Sequence, residues 1–351
     1  MGNVAGLDDR TVLEVSDLVV SFRGARRVGL AEHRAVRAVD GVSLRIGSRE
    51  TLGLVGESGS GKSTTARAIL QLVPARSGSV TFEGADLRSA GRGGRRNLRR
   101  HAQMIFQNPL GSLNARMKVG SIIREPLDIH QIGDRPARQS RVQELLELVG
   151  LPADAVNRYP HEFSGGQQQR IAIARALAPE PSLIICDEPV AALDVSIQAQ
   201  ILQLLKDLQR TTGVSYLFIA HDLNVVRHVS RRTAIMYLGK IVEEGPSLAL
   251  FGAPRHPYTQ ALVSAIPVPD PSAQQRRTVL HGEIPNPADV PSGCRFRTRC
   301  RYVRERCATE EPRLQPASDG VSVACHFWRE IAEGSHKPAD GIPADGPPGS
   351  A

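Results

Sequence analysis

The chain has 351 residues, a formal net charge of +8 and 41% apolar residues. That is enough for one large domain with an appendage, or for two domains with real cores. No apolar run approaches the about 18 residues of a membrane span, and Met1 to Arg10 carries no apolar signal core, so the expectation is a cytoplasmic protein without a span of its own.

Only five lysines occur, so the positive charge is almost all arginine. The excess permits nucleic acid or anionic lipid as a neighbour and requires neither. Its densest cluster, Arg88 to Arg100, reads as a flexible, solvated basic loop rather than a binding site.

Residues 1–10 read as a frayed end. Leu13 to Phe22 reads as a strand, with apolar alternation at its start. Phe22 could stack on an adenine ring, or be a plain half-buried strand aromatic. Arg23 to Arg37 is polar and arginine-rich, a hairpin tip or loop. Val36 to Ile46 and Glu50 to Val55 continue a sheet.

The next stretch organises the chain. Gly56-Glu-Ser58-Gly59-Ser60-Gly61-Lys62-Ser63-Thr64 has the form G-x-x-x-x-G-K-[ST], the phosphate-binding loop. An apolar strand precedes it. A helix follows, Thr64 to Leu72, with Ala68, Leu70 and Leu72 available to the core. Glycines let backbone N–H groups converge on phosphate oxygens where a side chain would collide. The helix N-terminus adds partial positive charge. Lys62 is expected to reach the β- and γ-phosphates, and Ser63 to hold Mg²⁺.

Ser77 to Ser79 marks a turn, and Val80 to Phe82 another strand. His101 to Pro109 returns to a buried strand that ends at Gln107, Asn108 and a proline. A glutamine there can meet a metal and an attacking water; a merely polar strand terminus is the alternative. From Pro109 to Ala178 the pattern turns helical: Val119 to Leu127, then Gln139 to Val149 with Val142, Leu145, Leu146 and Val149 on one face. Gly150 stops that helix. This reads as a helical subdomain inserted into a nucleotide-binding core.

Phe163-Ser164-Gly165-Gly166-Gln167 opens a further helix, Ile171 to Ala178. Ser164 can cap it, and the glycines expose N–H groups, which makes a second anion site. Pro181 to Cys186 is a buried strand that ends in Asp187 and Glu188. Adjacent carboxylates at a strand tip are costly without a cation. Asp187 fits a Mg²⁺ partner, and Glu188 fits a base for water. Ala191 to Asp194 precedes an amphipathic helix, Ser196 to Thr211. Ser215 to Ala220 is one more strand, with His221 at its tip. In a parallel α/β sheet such tips share one edge, where ligands bind. Gln107, Glu188 and His221 are therefore expected to form one catalytic edge. Thr233 to Tyr237 and Lys240 to Glu244 are expected to end the sheet.

Of five cysteines, Cys186 reads as a core residue. The other four, Cys294, Cys300, Cys307 and Cys325, have the spacing C-x5-C-x6-C-x17-C. A cytoplasmic location disfavours disulfides. Four thiolates suit an iron–sulfur cluster or zinc, and the spacing leaves the metal open. Arg295, Arg297, Arg299, Arg301, Arg304 and Arg306 could offset the charge of a cluster. Residues 331–351, rich in Pro, Gly and Ala, read as disordered.

In this order, the phosphate loop, Gln107, Ser164 to Gln167, Asp187-Glu188, Ala191 to Asp194 and His221 resemble the ATP-binding subunits of ABC transporters, over Leu13 to about Gly245. Ala191 stands where that family usually has serine. Phe106 to Asn114, Ala192 to Gln200 and His256 to Leu262 are similar to the oligopeptide and dipeptide importers. So are Ser264 to Asp270, Gly282 to Pro285 and Pro291 to Cys294. The pattern looks closest to their F-type subunit, which pairs with a homologous D-type subunit. Ala115 stands where that group usually has proline.

The resemblance implies an α/β P-loop NTPase fold: an ABC ATPase core with an inserted helical subdomain, an antiparallel β subdomain and a small cysteine-rich extension. Residues 11–265 would be the ATP-binding domain, with the helical subdomain at about 109–178. Residues 266–330 would be the transporter extension and 331–351 the disordered tail. It implies ATP on Phe22, Gly56, Ser58, Gly59, Ser60, Gly61, Lys62, Ser63, Thr64, Gln107 and Asp187, with Mg²⁺ on Ser63, Gln107 and Asp187. Glu188, Gln107 and His221 would be catalytic. Ser164, Gly165, Gly166 and Gln167 would serve the ATP of a partner in a head-to-tail dimer. The cysteines would hold a [4Fe–4S] cluster in preference to zinc. The partners implied are the D-type subunit, two transmembrane permeases and a solute-binding protein, with no nucleic acid, at the cytoplasmic face of the membrane. The competing readings are a soluble ABC ATPase acting on nucleic acid or ribosomes, and a subunit for nickel or drugs. The first is disfavoured because the chain has one cassette and no long coiled-coil insertion.

Overall fold

The computed structural model describes residues 10–22, 36–266, 278, 280 and 282–335. The chain opens with β1 (Thr11–Phe22), β2 (Val36–Gly47) and β3 (Thr51–Val55). Helix α1 (Lys62–Ile69) follows the glycine loop, then β4 (Ser77–Phe82), β5 (Ala85–Asp86), α2 (Arg92–His101) and β6 (Ala102–Ile105). The helical stretch holds α3 (Pro109–Ser112), α4 (Val119–His130), α5 (Arg135–Leu148) and α6 (Gly165–Leu177). Next come β7 (Leu183–Asp187), α7 (Val195–Thr212), β8 (Ser215–Ala220), α8 (Leu223–Val229), β9 (Arg232–Tyr237) and β10 (Lys240–Pro246). The C-terminal part contains α9 (Ser247–Gly252), α10 (Pro257–Ser264), α11 (Arg306–Thr309), β11 (Gln315–Pro316), β12 (Ser322–Val323) and α12 (Trp328–Ala332).

Two sheets result. The smaller has the order β2-β1-β4-β5, all antiparallel. The larger has the order β11-β12-β10-β9-β3-β8-β7-β6, in which β9, β3, β8, β7 and β6 run parallel. A parallel strand covered on both faces must be apolar at every position. β7 and β8 are buried throughout, and their side chains divide by the two-residue period of a strand. Leu183, Ile185, Leu217 and Ile219 join the core under the small sheet and α1. Ile184, Cys186, Tyr216 and Phe218 join the core shared with the helical stretch. That second core also takes Ile122, Ile123 and Leu127 of α4 and Val142, Leu145 and Leu146 of α5. The inserted helices are thus packed on the sheet rather than hung from it.

Four sequence expectations change. The basic segment expected as a loop over 88–100 contains α2, held to the core by Leu98 alone within the helix, with Arg99, Arg100 and His101 at its C-terminal turn. Cations there complement the negative end of the helix dipole, a local signal that composition masks. Leu72, expected in the core, lies past the end of α1 and is 54% exposed. The sheet does not end at β10: β12 pairs with it at Glu243↔Val323, and β11 adds beyond. Strands of two residues carry too short a pattern to read. Finally α12 runs into the segment from 331 assigned to a disordered tail, with Ile331 buried. Residues 336–351 lie outside the described residues, as do residues 1–9, 23–35 and 267–277. No helix among the described residues is long and apolar enough to cross a membrane.

Candidate active site

β3 delivers the phosphate loop at the edge of the parallel sheet. Gly61 has φ of 110°, and a Cβ there would stand 2.3 Å from the Ala38 carbonyl oxygen. A Cβ on Gly56 would stand 2.1 Å from the Met236 carbonyl oxygen. Neither position accepts a side chain. Gly239 N donates to Ser60 O at 2.8 Å, which ties the loop to the β9–β10 turn. Ser60 itself is buried, and Ser58 and Gly59 form the exposed tip. No side chain caps α1, and its first turn holds no acid, so its positive end faces the loop unopposed.

Lys62 is 5% exposed. Its Nζ donates to the carbonyls of Gly56 at 2.7 Å and Glu57 at 2.9 Å. An ammonium has three donors, so one remains for a phosphate oxygen. Burial pushes the Lys62 pKa down, against the pull of Glu188, Asp187 and Glu57.

Ser63 Oγ donates to Asp187 Oδ1 at 2.8 Å. Thr64 follows Ser63 on α1. Asp187 is 5% exposed, and burial pushes its carboxyl up. The Ser63 hydrogen bond, Arg67 and Lys62 oppose that shift, while Glu188 adds to it. Such a carboxylate gains from a cation.

Glu188 follows directly, with φ of 50°, a left-handed conformation that is strained for a residue with a side chain. Its N–H still donates to Ile219 O at 2.9 Å, so β8 holds it in place. Gln107 Nε2 donates to Glu188 Oε2 at 2.9 Å, and His221 Nδ1 lies 3.2 Å from the same oxygen. Gln107, Glu188 and His221 follow the adjacent strands β6, β7 and β8, so the edge expected from the sequence is assembled. This constellation offers a partly buried carboxylate between a donor amide and an imidazole, beside a hydroxyl–carboxylate pair fit for a hard cation.

Two expected groups stand apart from it. Ser164 Oγ accepts from Gln167 N at 3.4 Å, and Gln167 Oε1 accepts from Ser164 N at 3.0 Å, a reciprocal cap on α6. Gly166 lies against α7, where a Cβ would meet Ile197 Cγ2 at 2.6 Å. Among the described residues, no hydrogen bond joins Ser164, Gly165, Gly166 or Gln167 to the phosphate loop. Phe22 closes β1 opposite Val36 and is 43% exposed.

Cys294, Cys300, Cys307 and Cys325 line one small enclosed cavity with His256, Phe296 and Phe327 among its other walls. Burial pushes Cys294 up to about 11 and Cys325 up to about 12, and raises Cys300 further. Among the described residues, no three His, Cys, Asp or Glu side chains are grouped to hold a single metal ion. The arginines expected to balance a cluster are engaged elsewhere. Arg295 pairs with Asp40, Arg299 with Glu57 and Arg306 with Glu310. Arg297 bonds Ser292 O, Arg304 bonds Val303 O, and Arg301 lies over Tyr302. Carboxylates within reach outcompete a diffuse role. Sequence reasoning missed Glu57 as a contact point, together with Tyr258 and Arg299 that meet it. The His256-Pro-Tyr258 stretch was the available signal for Tyr258.

The family described as ABC transporter matches residues 39–191, and the C-terminal region of the oligopeptide/dipeptide transporter family matches residues 242–307. Over 319 residues the chain is 49% identical to the oligopeptide transport ATP-binding protein OppF of Haemophilus influenzae, spanning 90% of this chain and 96% of that one. The chain belongs to the ATP-binding subunits of oligopeptide/dipeptide ABC transporters. This ABC subunit is also 49% identical to YkfD of Bacillus subtilis over 321 residues, 91% of this chain and 96% of that protein. Among solved structures it is similar to the ATP-binding cassette MJ0796 in a dimeric post-hydrolysis state bound to ADP and Pi. The TM-score is 0.59 at 28% identity, over 67% of this chain and 98% of that one. The cassette cbiO1 of Clostridium perfringens, part of the ABC transporter complex cbiONQ, gives a TM-score of 0.60 at 25% identity, over 69% and 91% of the two chains.

Proposed function

We propose that this ABC subunit hydrolyses ATP to energise import of oligopeptides or dipeptides across the cytoplasmic membrane. The observation that carries the chemistry is the placement of Glu188 Oε2 against both Gln107 and His221, beside the Ser63–Asp187 pair. Lys62 and the amides of residues 56–64 bind the phosphates, and Ser63, Gln107 and Asp187 bind Mg²⁺. Glu188 takes a proton from water as the water oxygen attacks the γ-phosphorus and the bridging oxygen leaves with ADP. His221 contacts the γ-phosphate, and Phe22 stacks on the adenine. Ser164 to Gln167 serve the ATP of a homologous D-type subunit in a head-to-tail dimer. The capped, glycine-opened start of α6, apart from the phosphate loop, supports that division.

Two permeases and a solute-binding protein complete the assembly, and the chain sits at the cytoplasmic face as a peripheral subunit. The four cysteines would hold a [4Fe–4S] cluster. What supports this is the convergence of four thiols on one cavity, the donor set that such a cluster takes. Such a cluster would supply a covalent staple to a region with few strands. Iron and acid-labile sulfide in anaerobically purified protein are expected together; absence of both leaves metal-free packing and overturns the cluster alone.

Uptake of a labelled oligopeptide in cells that carry the whole transporter tests the main reading. Lys62→Ala is expected to abolish uptake and ATPase activity. Uptake unchanged by that substitution would overturn it.

A further inference from the structure

Glu57 is the first variable position of the phosphate loop, and both its backbone and its side chain are held. Its N–H donates to the Tyr258 hydroxyl at 2.9 Å. Its carbonyl accepts from Lys62 Nζ at 2.9 Å and Ser60 N at 3.2 Å. Its carboxylate accepts two bonds from Arg299, Nη1 to Oε2 at 2.6 Å and Nη2 to Oε1 at 3.1 Å. Tyr258 and Arg299 lie 201 and 242 residues beyond Glu57 in the chain.

Neither partner is a loose surface group. Tyr258 is fully buried, and the Arg299 side chain is 7% exposed. The turn before Tyr258 is fixed by buried Glu243, which accepts from Arg255 N at 2.8 Å and His256 N at 2.9 Å. His256 Nδ1 accepts from Tyr258 N at 3.1 Å. Arg299 lies between Cys294 and Cys300. Phe296 of the same loop packs against Tyr258 at 5.4 Å and edge-on against Tyr237 at 5.3 Å. The two supports of Glu57 are therefore one packed unit. A paired, two-pronged contact also fixes orientation in a way that a lysine ammonium does not.

We propose that Tyr258 and Arg299 are positioning residues for nucleotide binding, which hold the Glu57 turn so that Lys62 and the loop amides meet the phosphates in place. The C-terminal region over residues 242–307 thereby sets the ATP affinity of a loop that belongs to the core. This rests on residues 56–64 as the nucleotide site. Neither residue contacts Gln107, Glu188 or His221, so the effect falls on binding rather than on the chemical step.

The test is ATP affinity by titration and kcat, in the full chain. Arg299→Gln and Tyr258→Phe are each expected to raise the Kd for ATP about tenfold, with kcat changed less than about twofold. Arg299→Lys is expected to recover part of that loss. Arg299→Gln combined with Glu57→Gln is expected to match the worse single variant rather than the product of the two. A Kd within about twofold of the parent in both Arg299→Gln and Tyr258→Phe overturns the proposal. So does a loss of folded protein with unchanged Kd in the folded remainder. Lys62→Ala is the control: if it leaves ATP affinity unchanged, the reading of the nucleotide site fails, whatever Arg299 does.

Discussion

Ser63 Oγ donates to Asp187 Oδ1 at 2.8 Å, across 124 positions of sequence. One residue opens α1 behind the β3 loop, and the other ends β7, with β8 between the two strands. The parallel edge thus brings a hydroxyl and a carboxylate together as oxygen ligands for a hard cation. The same edge places Glu188 next to Asp187, where burial and mutual repulsion both favour a positive charge.

Asp187→Asn separates the cation role from the fold. The carboxyl of Asp187 is raised in the folded state, so its ionisation opposes folding. That cost is complete above the folded pKa and vanishes as pH falls below the unfolded value. Without nucleotide, the variant is expected to melt no lower than the parent at about pH 8. Its Mg²⁺-dependent ATPase is expected to fall by about 10²-fold or more. Scanning fluorimetry with and without Mg²⁺ and ATP reads both effects: the parent gains stability with the ligands and the variant does not. Equal gains in the two proteins would contradict the role of Asp187.

Glu188→Gln keeps shape and volume at a position already in a left-handed backbone. The amide oxygen still accepts from Gln107. ATP binding is therefore expected to stay near that of the parent, while turnover drops by about 10²–10⁴-fold through loss of the base. Nucleotide titration and phosphate release are the measurements. Hydrolysis at the parent rate would remove Glu188 from the reaction.

Gly61 and Gly59 both have positive φ, yet they differ in surroundings. A Cβ at Gly61 meets the Ala38 and Met236 side of the fold, whereas a Cβ at Gly59 meets nothing within 4 Å. Gly61→Ala is expected to cost roughly 2–4 kcal/mol and to abolish ATP binding; Gly59→Ala costs about 1 kcal/mol from backbone conformation alone. Denaturant midpoints of the two variants measure the difference. Similar losses at both sites would show that the close approach of Ala38 has no energetic weight.

Much of this site is legible in the residues because each element ends with a polar group at a strand tip. Gln107, Glu188 and His221 interrupt apolar runs, and a parallel sheet has only one edge on which to collect them. The phosphate loop is legible because its glycines answer a steric demand visible at Gly56 and Gly61. What escaped is long-range pairing between unlike segments. Nothing near Arg299 marks it as the partner of Glu57, since one arginine among the six of residues 295–306 has no distinguishing neighbour pattern. β12 escaped for a related reason: Ser322 and Val323 are recruited by the open edge of β10 and carry no alternation of their own. The helix over Arg92–His101 was hidden by composition, since one buried leucine is all it offers the core.

His256 gives the protein a defined acid limit. It is 1% exposed, and burial pushes its pKa down to about 3. Its Nδ1 accepts the Tyr258 N–H, so the neutral ring carries its proton on Nε2 and protonation of Nδ1 would break that bond. In the unfolded chain the imidazole titrates at its ordinary value of 6.5. Between 6.5 and about 3 the unfolded state therefore binds the extra proton, and stability falls as pH is lowered through that window. The contribution of this one residue declines by about 1.4 kcal/mol per pH unit. His256→Asn retains an acceptor for Tyr258 N and has no proton to gain. The variant is expected to lose some aromatic packing at neutral pH, and to show a shallower fall in urea midpoint from about pH 6 to about pH 4. Because the folded ring stays neutral down to about pH 3, its bond to Tyr258 is kept, and the ATP affinity of the folded protein is expected to vary alike in the parent and in His256→Asn from about pH 6 to about pH 4. Parallel pH profiles of stability for the two proteins would refute this account.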